Sequence, residues 1–138
     1  MATRSTIAVE HNDGTISSVY SHWNGYPSWN GKVLIDNYNS LAIAEKLVAL
    51  GSISSLAERL EPTHEEVHTF DNPVKGVTVF YHRDRGEELS VYHFADMEAY
   101  RRDNDDEDYN YLFTNGNWYL DGDRDLILVK TVIDEEED

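Results

Sequence analysis

Residues 5–23 read STIAVEHNDGTISSVYSHW, and this stretch decides how the fold begins. Two runs rich in β-branched residues flank Asn12-Asp13-Gly14, a turn sequence that favours a tight antiparallel hairpin. A second hairpin signal, Asn115-Gly116-Asn117, lies between apolar runs at residues 109–114 and 118–120. The chain is therefore expected to build an antiparallel sheet from hairpins.

The remaining segments alternate between the apolar period of a helix and that of a strand. Apolar spacing and capping residues predict helices from residue 32, from residue 41 to Gly51, over residues 55–60 and over residues 97–102. Strands are predicted over residues 66–70, 76–82, 90–94 and 126–132, the third pairing back on the second. The prediction is one α+β domain over residues 1–133, with two or three helices packed on one face of an antiparallel sheet. Residues 134–138 are predicted to be a disordered acidic tail.

Charge restricts the classes of partner. The 138 residues include 27 acidic and 11 basic side chains, a formal net charge of −16. Direct binding to nucleic acid or to an anionic membrane is disfavoured, because phosphate contacts need Lys and Arg. A partner protein with a basic surface, such as one that itself binds nucleic acid, is favoured. The chain has no cysteine and no apolar run long enough to span a membrane, so thiolate chemistry is excluded. No signal peptide is expected, and a cytoplasmic location is predicted.

The string His64-Glu65-Glu66-Val67-His68 matches the H-E-x-x-H motif of zinc peptidases. That motif works on a helix, and here it lies between Pro62 and Pro73 without an amphipathic pattern around it. We therefore expect a half-exposed strand in which His64 and His68 share a face, with no metal, no cofactor and no enzymatic activity. The acidic loops at residues 103–108 and 121–125 lack the glycine and the glutamate that a calcium loop requires.

Residues 20–31, YSHWNGYPSWNG, are the strongest candidate for a binding site. Aromatic rings supply contact area, and Tyr, Trp and His tips supply directional hydrogen bonds. The same rings could instead fold back as a lid over the core, and both interpretations stay open. A basic cluster at residues 83–87 could pair internally or receive an anionic ligand. The predicted binding residues are His22, Trp23, Asn24, Tyr26, Trp29, Asn30, Arg83 and Arg85.

An acidic run forms the second candidate surface. Its carboxylates could stand in for DNA phosphates against a basic cleft, although solubility explains the charge equally well. The predicted members of this surface are Asp103, Asp105, Asp106, Glu107 and Asp108.

Several strings occur together along the chain: HWNGYP at residues 22–27, HTFDNP at residues 68–73 and RDRGE at residues 83–87. With these strings the chain resembles, up to about Phe113, a family of small acidic proteins encoded by tailed bacteriophages. The resemblance implies an accessory product that acts in the host cytoplasm, and it implies no reaction, ligand or catalytic residue. Family members tend to carry aspartate where this chain has Asn24, which argues against acid–base chemistry at that position.

The function predicted from these observations is that of a phage-encoded, non-enzymatic accessory protein. It would bind and inhibit a host protein, in host takeover or against a host defence, with acidic DNA mimicry as one mechanism. The alternative is a small-molecule binding protein that holds a nucleotide-like ligand on residues 20–31. A homodimer formed through the same rings is a further prediction for the aromatic segment.

Overall fold

A computed structural model describes residues 2–105, 107–122 and 125–137 of the chain. Within that part of the chain, the strands are β1 Ser5–Glu10, β2 Ile16–Ser21, β3 Ile53–Ser55, β4 Val79–Phe80, β5 Tyr92–Phe94, β6 Tyr109–Thr114, β7 Asn117–Asp121 and β8 Leu126–Leu128. The helices are α1 Lys32–Asn37, α2 Leu41–Ala49, α3 Tyr81–Arg85, α4 Met97–Asp103 and α5 Val129–Glu137, with a π-helical turn at Pro27–Gly31.

The strands form a single sheet in the order β4-β3-β2-β1-β6-β7-β8, and β5 pairs with β2 beside β3. Both predicted hairpins, β1–β2 and β6–β7, are confirmed. The α+β class is also confirmed, but the sheet is mixed: β1 pairs in parallel with β6, and β2 in parallel with β3. Parallel neighbours arise because the chain passes through helices before it returns to the centre of the sheet.

The core lies on both faces of the central strand β1. Ile7 and Val9 face the larger apolar cluster, which α1, α2 and α5 help to form, whereas Ala8 belongs to a smaller cluster with Tyr100 of α4. Successive side chains of a strand point to opposite faces, so an uninterrupted apolar run marks a strand covered on both sides. Helices therefore cover both faces of the sheet, whereas the sequence predicted two or three helices on one face.

Local caps define the helix ends that the sequence predicts. The Ser40 hydroxyl accepts a hydrogen bond from the Ile43 N–H at the start of α2 (3.5 Å), and the Asp96 carboxylate accepts one from the Ala99 N–H at the start of α4 (2.8 Å). Gly51 follows α2 with a φ of 88°, the left-handed conformation that glycine adopts most easily. These helix predictions are confirmed.

The predicted helix over residues 55–60 is wrong, because its backbone groups are bound elsewhere. The Thr78 hydroxyl accepts from the Ala57 N–H (2.9 Å) and donates to the Ala57 carbonyl (3.0 Å). The Arg59 N–H donates to the Gly76 carbonyl (3.0 Å), and the Arg59 carbonyl accepts from the Thr78 N–H (2.8 Å). An extended segment paired with residues 76–78 therefore replaces the helix.

Three strand predictions also need correction. Residues 66–70 form no strand. The strand predicted over residues 76–82 is reduced to Val79–Phe80, with an isolated bridge at Val77, because α3 begins at Tyr81. The strand β5 pairs with β2 rather than with β4.

The C-terminal run is a strand only as far as Leu128, and α5 follows it. Val129 and Ile133, one helical turn apart, are buried in the larger core cluster and hold α5 against the sheet. The predicted acidic tail therefore continues this helix through residue 137, and Asp138 lies outside the described residues. None of the described helices has the length and apolar character needed to cross a bilayer.

Candidate functional site

Three rings of the aromatic segment are exposed to solvent. The exposed fractions are 45% for Trp23, 37% for Tyr26 and 48% for Trp29. We call these three side chains the aromatic surface. Because they remain accessible, the lid interpretation does not describe them, and the core beneath is closed by other residues.

Backbone contacts hold the loop that carries the aromatic surface against β1. The Gly25 N–H donates to the Thr3 carbonyl (2.8 Å), and the buried Tyr111 hydroxyl donates to the Gly25 carbonyl (2.6 Å). Asn24 adopts a φ of 57°, a left-handed conformation that asparagine tolerates better than most residues. The Asn24 carbonyl accepts from the Asn30 N–H (3.2 Å), which closes the loop on itself.

Asn30 lies in the interior and not on the aromatic surface. Its side chain is fully buried, and the amide Nδ2 donates to the Trp23 carbonyl (3.3 Å) and approaches the Ser5 and Ser21 hydroxyls at 3.5 and 3.4 Å. Asn30 therefore ties the loop to β1 and β2 instead of offering its amide to a partner.

His22 connects the aromatic surface to the end of β2. Its Nδ1 atom lies 2.5 Å from the Tyr20 hydroxyl, and the edge of its ring contacts the Trp23 ring, with 4.6 Å between centroids. Burial raises the pKa of Tyr20, while Arg4 acts in the opposite direction. These contacts fix the position of Trp23 although its ring is exposed.

The two arginines predicted as binding residues have different surroundings. The Arg83 guanidinium donates to the carbonyls of Leu60 (2.6 Å) and Thr78 (2.9 Å) and to the Asp84 carboxylate (3.0 Å), so it pairs internally. The Arg85 side chain is exposed, lies over the Phe70 ring at 4.8 Å and approaches Glu87 at 3.5 Å. Of the two cations, Arg85 is the accessible one.

Asp84 organises the buried side of this segment. Burial disfavours its charged form, but hydrogen bonds from the Arg83 guanidinium and the Phe80 N–H outweigh that effect and hold its pKa below the ordinary value. His68 is also buried here. Its Nδ1 accepts from the Val74 N–H (3.0 Å), and its Nε2 lies 3.4 Å from Asp84, within range of electrostatic attraction but outside hydrogen-bond geometry.

The H-E-x-x-H string forms neither a helix nor the alternating strand that we expected. His64 is exposed in a turn, whereas the His68 side chain is only 2% exposed, so the two imidazoles do not share a face. Glu66 is bound by Arg59 (2.9 Å) and by the Thr63 N–H (2.8 Å), which lower its pKa to about 2. Among the described residues, no three His, Asp or Glu side chains are grouped as metal ligands.

Within the described part of the acidic run, Asp103 is ion-paired with an arginine side chain, whereas Asp108 is bonded only by a backbone N–H. Arg102 pairs with Asp103 (2.9 Å), and Asp108 accepts a hydrogen bond from the Arg4 N–H (3.3 Å). Asp105 is exposed, Glu107 is half-buried and Asp106 lies outside the described residues. The run therefore presents fewer unpaired carboxylates than its sequence indicates.

A cleft of about 530 Å³ lies at the other end of β2. A chain of polar side chains crosses its wall: the Glu45 carboxylate lies 2.5 Å from His11 Nδ1, His11 Nε2 lies 2.8 Å from Ser17 Oγ, and Ser17 Oγ lies 3.1 Å from His93 Nδ1. We call these four side chains the polar relay. The apolar walls beside it are Val48, Ala49, Leu89 and Val91.

Three elements and one strand end bring the polar relay together. His11 follows β1, Ser17 faces His93 across the β2–β5 pairing, and Glu45 projects from α2. Their separations of 6, 34 and 76 residues match no motif, so the sequence analysis did not identify them. The only local signal was a histidine at the hairpin turn opposite a strand serine.

The chain was compared with protein-family models, with curated proteins and with solved structures. It matches no family model, and no curated protein or solved structure is significantly similar to it.

Proposed function

We propose that this protein is a phage accessory protein that binds and inhibits a host protein through the aromatic surface. The observation that carries the proposal is the exposure of Trp23, Tyr26 and Trp29 on one loop whose backbone is fixed on both sides. Tryptophan and tyrosine dominate the energetics of protein interfaces, because they bury a large area while fixing only two torsions.

The rigidity of the loop favours binding. A loop that is already ordered loses little conformational freedom when a partner covers it, so more of the contact energy remains as affinity. The hydrogen bonds of Gly25 and the buried Asn30 provide that order before any partner arrives.

The net charge of −16 supports a partner with a basic surface. An acidic protein attracts a positive surface over a distance of about 10 Å at ordinary salt, which raises the association rate more than the affinity. The pairing of Asp103 with Arg102 makes steering a better supported role for the acidic run than a copy of the DNA backbone. DNA mimicry, in which the carboxylates occupy a site that binds phosphates, is a more specific mechanism within the same proposal.

The test is capture of host proteins on the immobilised chain, followed by affinity measurement with each purified partner. We expect the double variant Trp23→Ala/Trp29→Ala to bind at least about 100-fold more weakly, because two anchors of about 2 kcal/mol are removed. Tyr92→Ala is the matched control, because Tyr92 is 50% exposed but lies on β5. The proposal would be refuted if both variants lost affinity equally, or if the double tryptophan variant bound every captured partner with wild-type affinity.

Two further measurements separate the alternatives. Electrostatic steering by the acidic run predicts that the association rate of wild type falls as salt is added. The rate should fall less in Asp105→Asn/Asp108→Asn, which lacks two of the carboxylates. Light scattering of the purified chain identifies self-association, and a melting-temperature rise with nucleotides that Trp23→Ala abolishes would favour the small-molecule alternative instead.

A further inference from the structure

We infer that the cleft at the turn end of β2 is a serine-nucleophile site that cleaves carboxylic esters with a small apolar acyl chain. In this site Ser17 is the nucleophile, His11 its general base, Glu45 the group that orients the base, and His93 a donor to the developing oxyanion. The inference goes beyond the proposed function and does not depend on it. Ser17 lies four residues before Ser21 on β2, which places the cleft about 13 Å along the strand from the loop of the aromatic surface.

The connectivity of the polar relay is the one that acyl transfer needs. A histidine activates a serine when one ring nitrogen faces the hydroxyl and the other faces a carboxylate that holds the ring in place. Here His11 Nε2 lies 2.8 Å from Ser17 Oγ, and Nδ1 lies 2.5 Å from Glu45. The separation of His11 Nε2 from Ser17 Oγ lies within the hydrogen-bond range for a general base, and the Glu45 carboxylate is in close contact with the other ring nitrogen.

Every hydrogen-bond donor in the polar relay can be matched with an acceptor. The ionised Glu45 can only accept, so His11 carries its proton on Nδ1 and leaves Nε2 as an acceptor. Ser17 then donates to His11 Nε2, and its remaining lone pairs accept from the Nδ1–H of His93, 3.1 Å away. The serine proton is therefore already directed at the base.

The surroundings of the relay define the substrate class. Ser17 is 6% exposed and lies on the wall of the cleft, while His11 and Glu45 are 27% and 39% exposed, so the site opens to solvent. Val48, Ala49, Leu89 and Val91 offer an apolar wall for an acyl chain. A cavity of about 530 Å³ is large enough for a small ester. The net charge of −16 disfavours anionic esters, so a neutral substrate is expected.

The reaction balances with water as the only co-reactant. Ser17 Oγ forms a bond to the carbonyl carbon as its proton moves to His11 Nε2, and the carbonyl π electrons move to oxygen. The Nδ1–H of His93, which donates to Ser17 Oγ before the attack, then donates to that oxygen instead. Collapse of this intermediate breaks the bond to the alcohol, which leaves with the proton from His11. Water, deprotonated by the same nitrogen, then releases the acid and restores Ser17.

The test uses the purified full chain and a fluorophosphonate, which forms an Oγ–P bond as fluoride leaves and the hydroxyl proton passes to the base. Peptide mass analysis should place the label on Ser17 in wild type and in Ser18→Ala, and Ser17→Ala should lose it. Ser18 is the matched control, because it is the neighbouring serine but binds Asn104 on the other face of β2 (2.9 Å).

Variants of the other relay members test their separate roles. We expect His11→Ala to slow labelling by about 100-fold or more, because the general base is removed. His93→Ala should lower the rate of p-nitrophenyl butyrate hydrolysis by about 100-fold, and His93→Gln, which keeps a hydrogen-bond donor, should restore it. His11→Gln replaces His11→Ala if the latter does not melt cooperatively. The inference would be overturned if Ser17 stayed unlabelled under conditions that fully label a known serine hydrolase. A labelling rate that is the same in wild type and the His11 variants would also overturn it. A single burst of p-nitrophenol without turnover would overturn its hydrolytic step.

Discussion

Substitution of Gly25 by alanine gives the sharpest test of how the aromatic surface is held. A Cβ at this position would lie 2.7 Å from the Thr3 carbonyl oxygen, 3.0 Å from Ser5 Cβ and 3.1 Å from the Arg4 carbonyl carbon. Two of these three atoms belong to the backbone around the start of β1, so no side-chain rotation relieves the overlap.

The expected loss of unfolding free energy follows from the contacts that an alanine at this position would disrupt. Overpacking of this kind costs about 1–3 kcal/mol. A shift of the loop also weakens the Gly25 N–H to Thr3 bond (2.8 Å) and the Tyr111 hydroxyl to Gly25 bond (2.6 Å), worth about 1 kcal/mol each. We expect Gly25→Ala to lower the free energy of unfolding by about 3 kcal/mol, and the melting temperature by about 10 °C.

The sign of the effect makes this prediction decisive. Gly25 lies outside the left-handed region, so without the overlap an alanine would stabilise the protein by about 0.4–1 kcal/mol through the unfolded chain. Urea denaturation followed by circular dichroism measures the difference. Gly86→Ala is the control: its Cβ would meet nothing within 4 Å, and only the strain of a φ of 78° remains. An unfolding free energy of Gly25→Ala equal to or above wild type would refute the reasoning.

Three further predictions concern stability. Gly116→Ala, in the turn after β6 with a φ of 78° and open space around it, should cost about 1 kcal/mol by urea denaturation, and a loss above about 3 kcal/mol would contradict the open turn. Tyr38→Phe removes the hydroxyl that donates to the Ala57 carbonyl (2.7 Å) and should cost about 1 kcal/mol, because Thr78 still donates to that carbonyl. Burial raises the pKa of Tyr38 to about 12, above its unfolded value of about 10, so in urea denaturation wild type should lose stability as the pH rises from about 10 to about 12, and Tyr38→Phe should lack this loss. The folded pKa of Asp84 lies below its unfolded value, so its contribution to stability is complete above about pH 4 and is lost as the pH falls through the folded pKa. Asp84→Asn should lower the free energy of unfolding by about 2 kcal/mol at pH 7 and weaken its decrease at acid pH. An unchanged decrease between pH 2 and 6, measured by urea denaturation, would contradict the role of Asp84.

The sequence was sufficient where a structure depends on neighbouring residues. The turn at Asn12-Asp13-Gly14, the Asn115-Gly116 turn with both residues at positive φ, and the caps Ser40 and Asp96 all satisfy backbone groups within a few positions. Such interactions have the same free energy wherever the segment lies, so local patterns identify them. The aromatic segment was also recognisable as a candidate site from its rings, glycines and proline, but the exposure of those rings was not.

The sequence failed where a distant residue competes for the same backbone or side chain. Residues 55–60 have a capping box, but the Thr78 hydroxyl takes the Ala57 groups that a helix would use. Arg83 looked available to an anion, but the Leu60 and Thr78 carbonyls hold it internally. The partners lie 5 to 23 residues away, yet nothing in the local pattern specifies them.

What the sequence by itself determined is the set of hairpins, most of the helices, the acidic charge and the aromatic loop. Only the tertiary structure decided that β6 lies in parallel beside β1 and that Glu45, His11, Ser17 and His93 meet at one cleft. The physical reason is that, apart from His11 with Ser17, these pairings close loops of 34 to more than 100 residues. The free energy that offsets such closure comes from burial of the whole core, which no single segment of the chain contains.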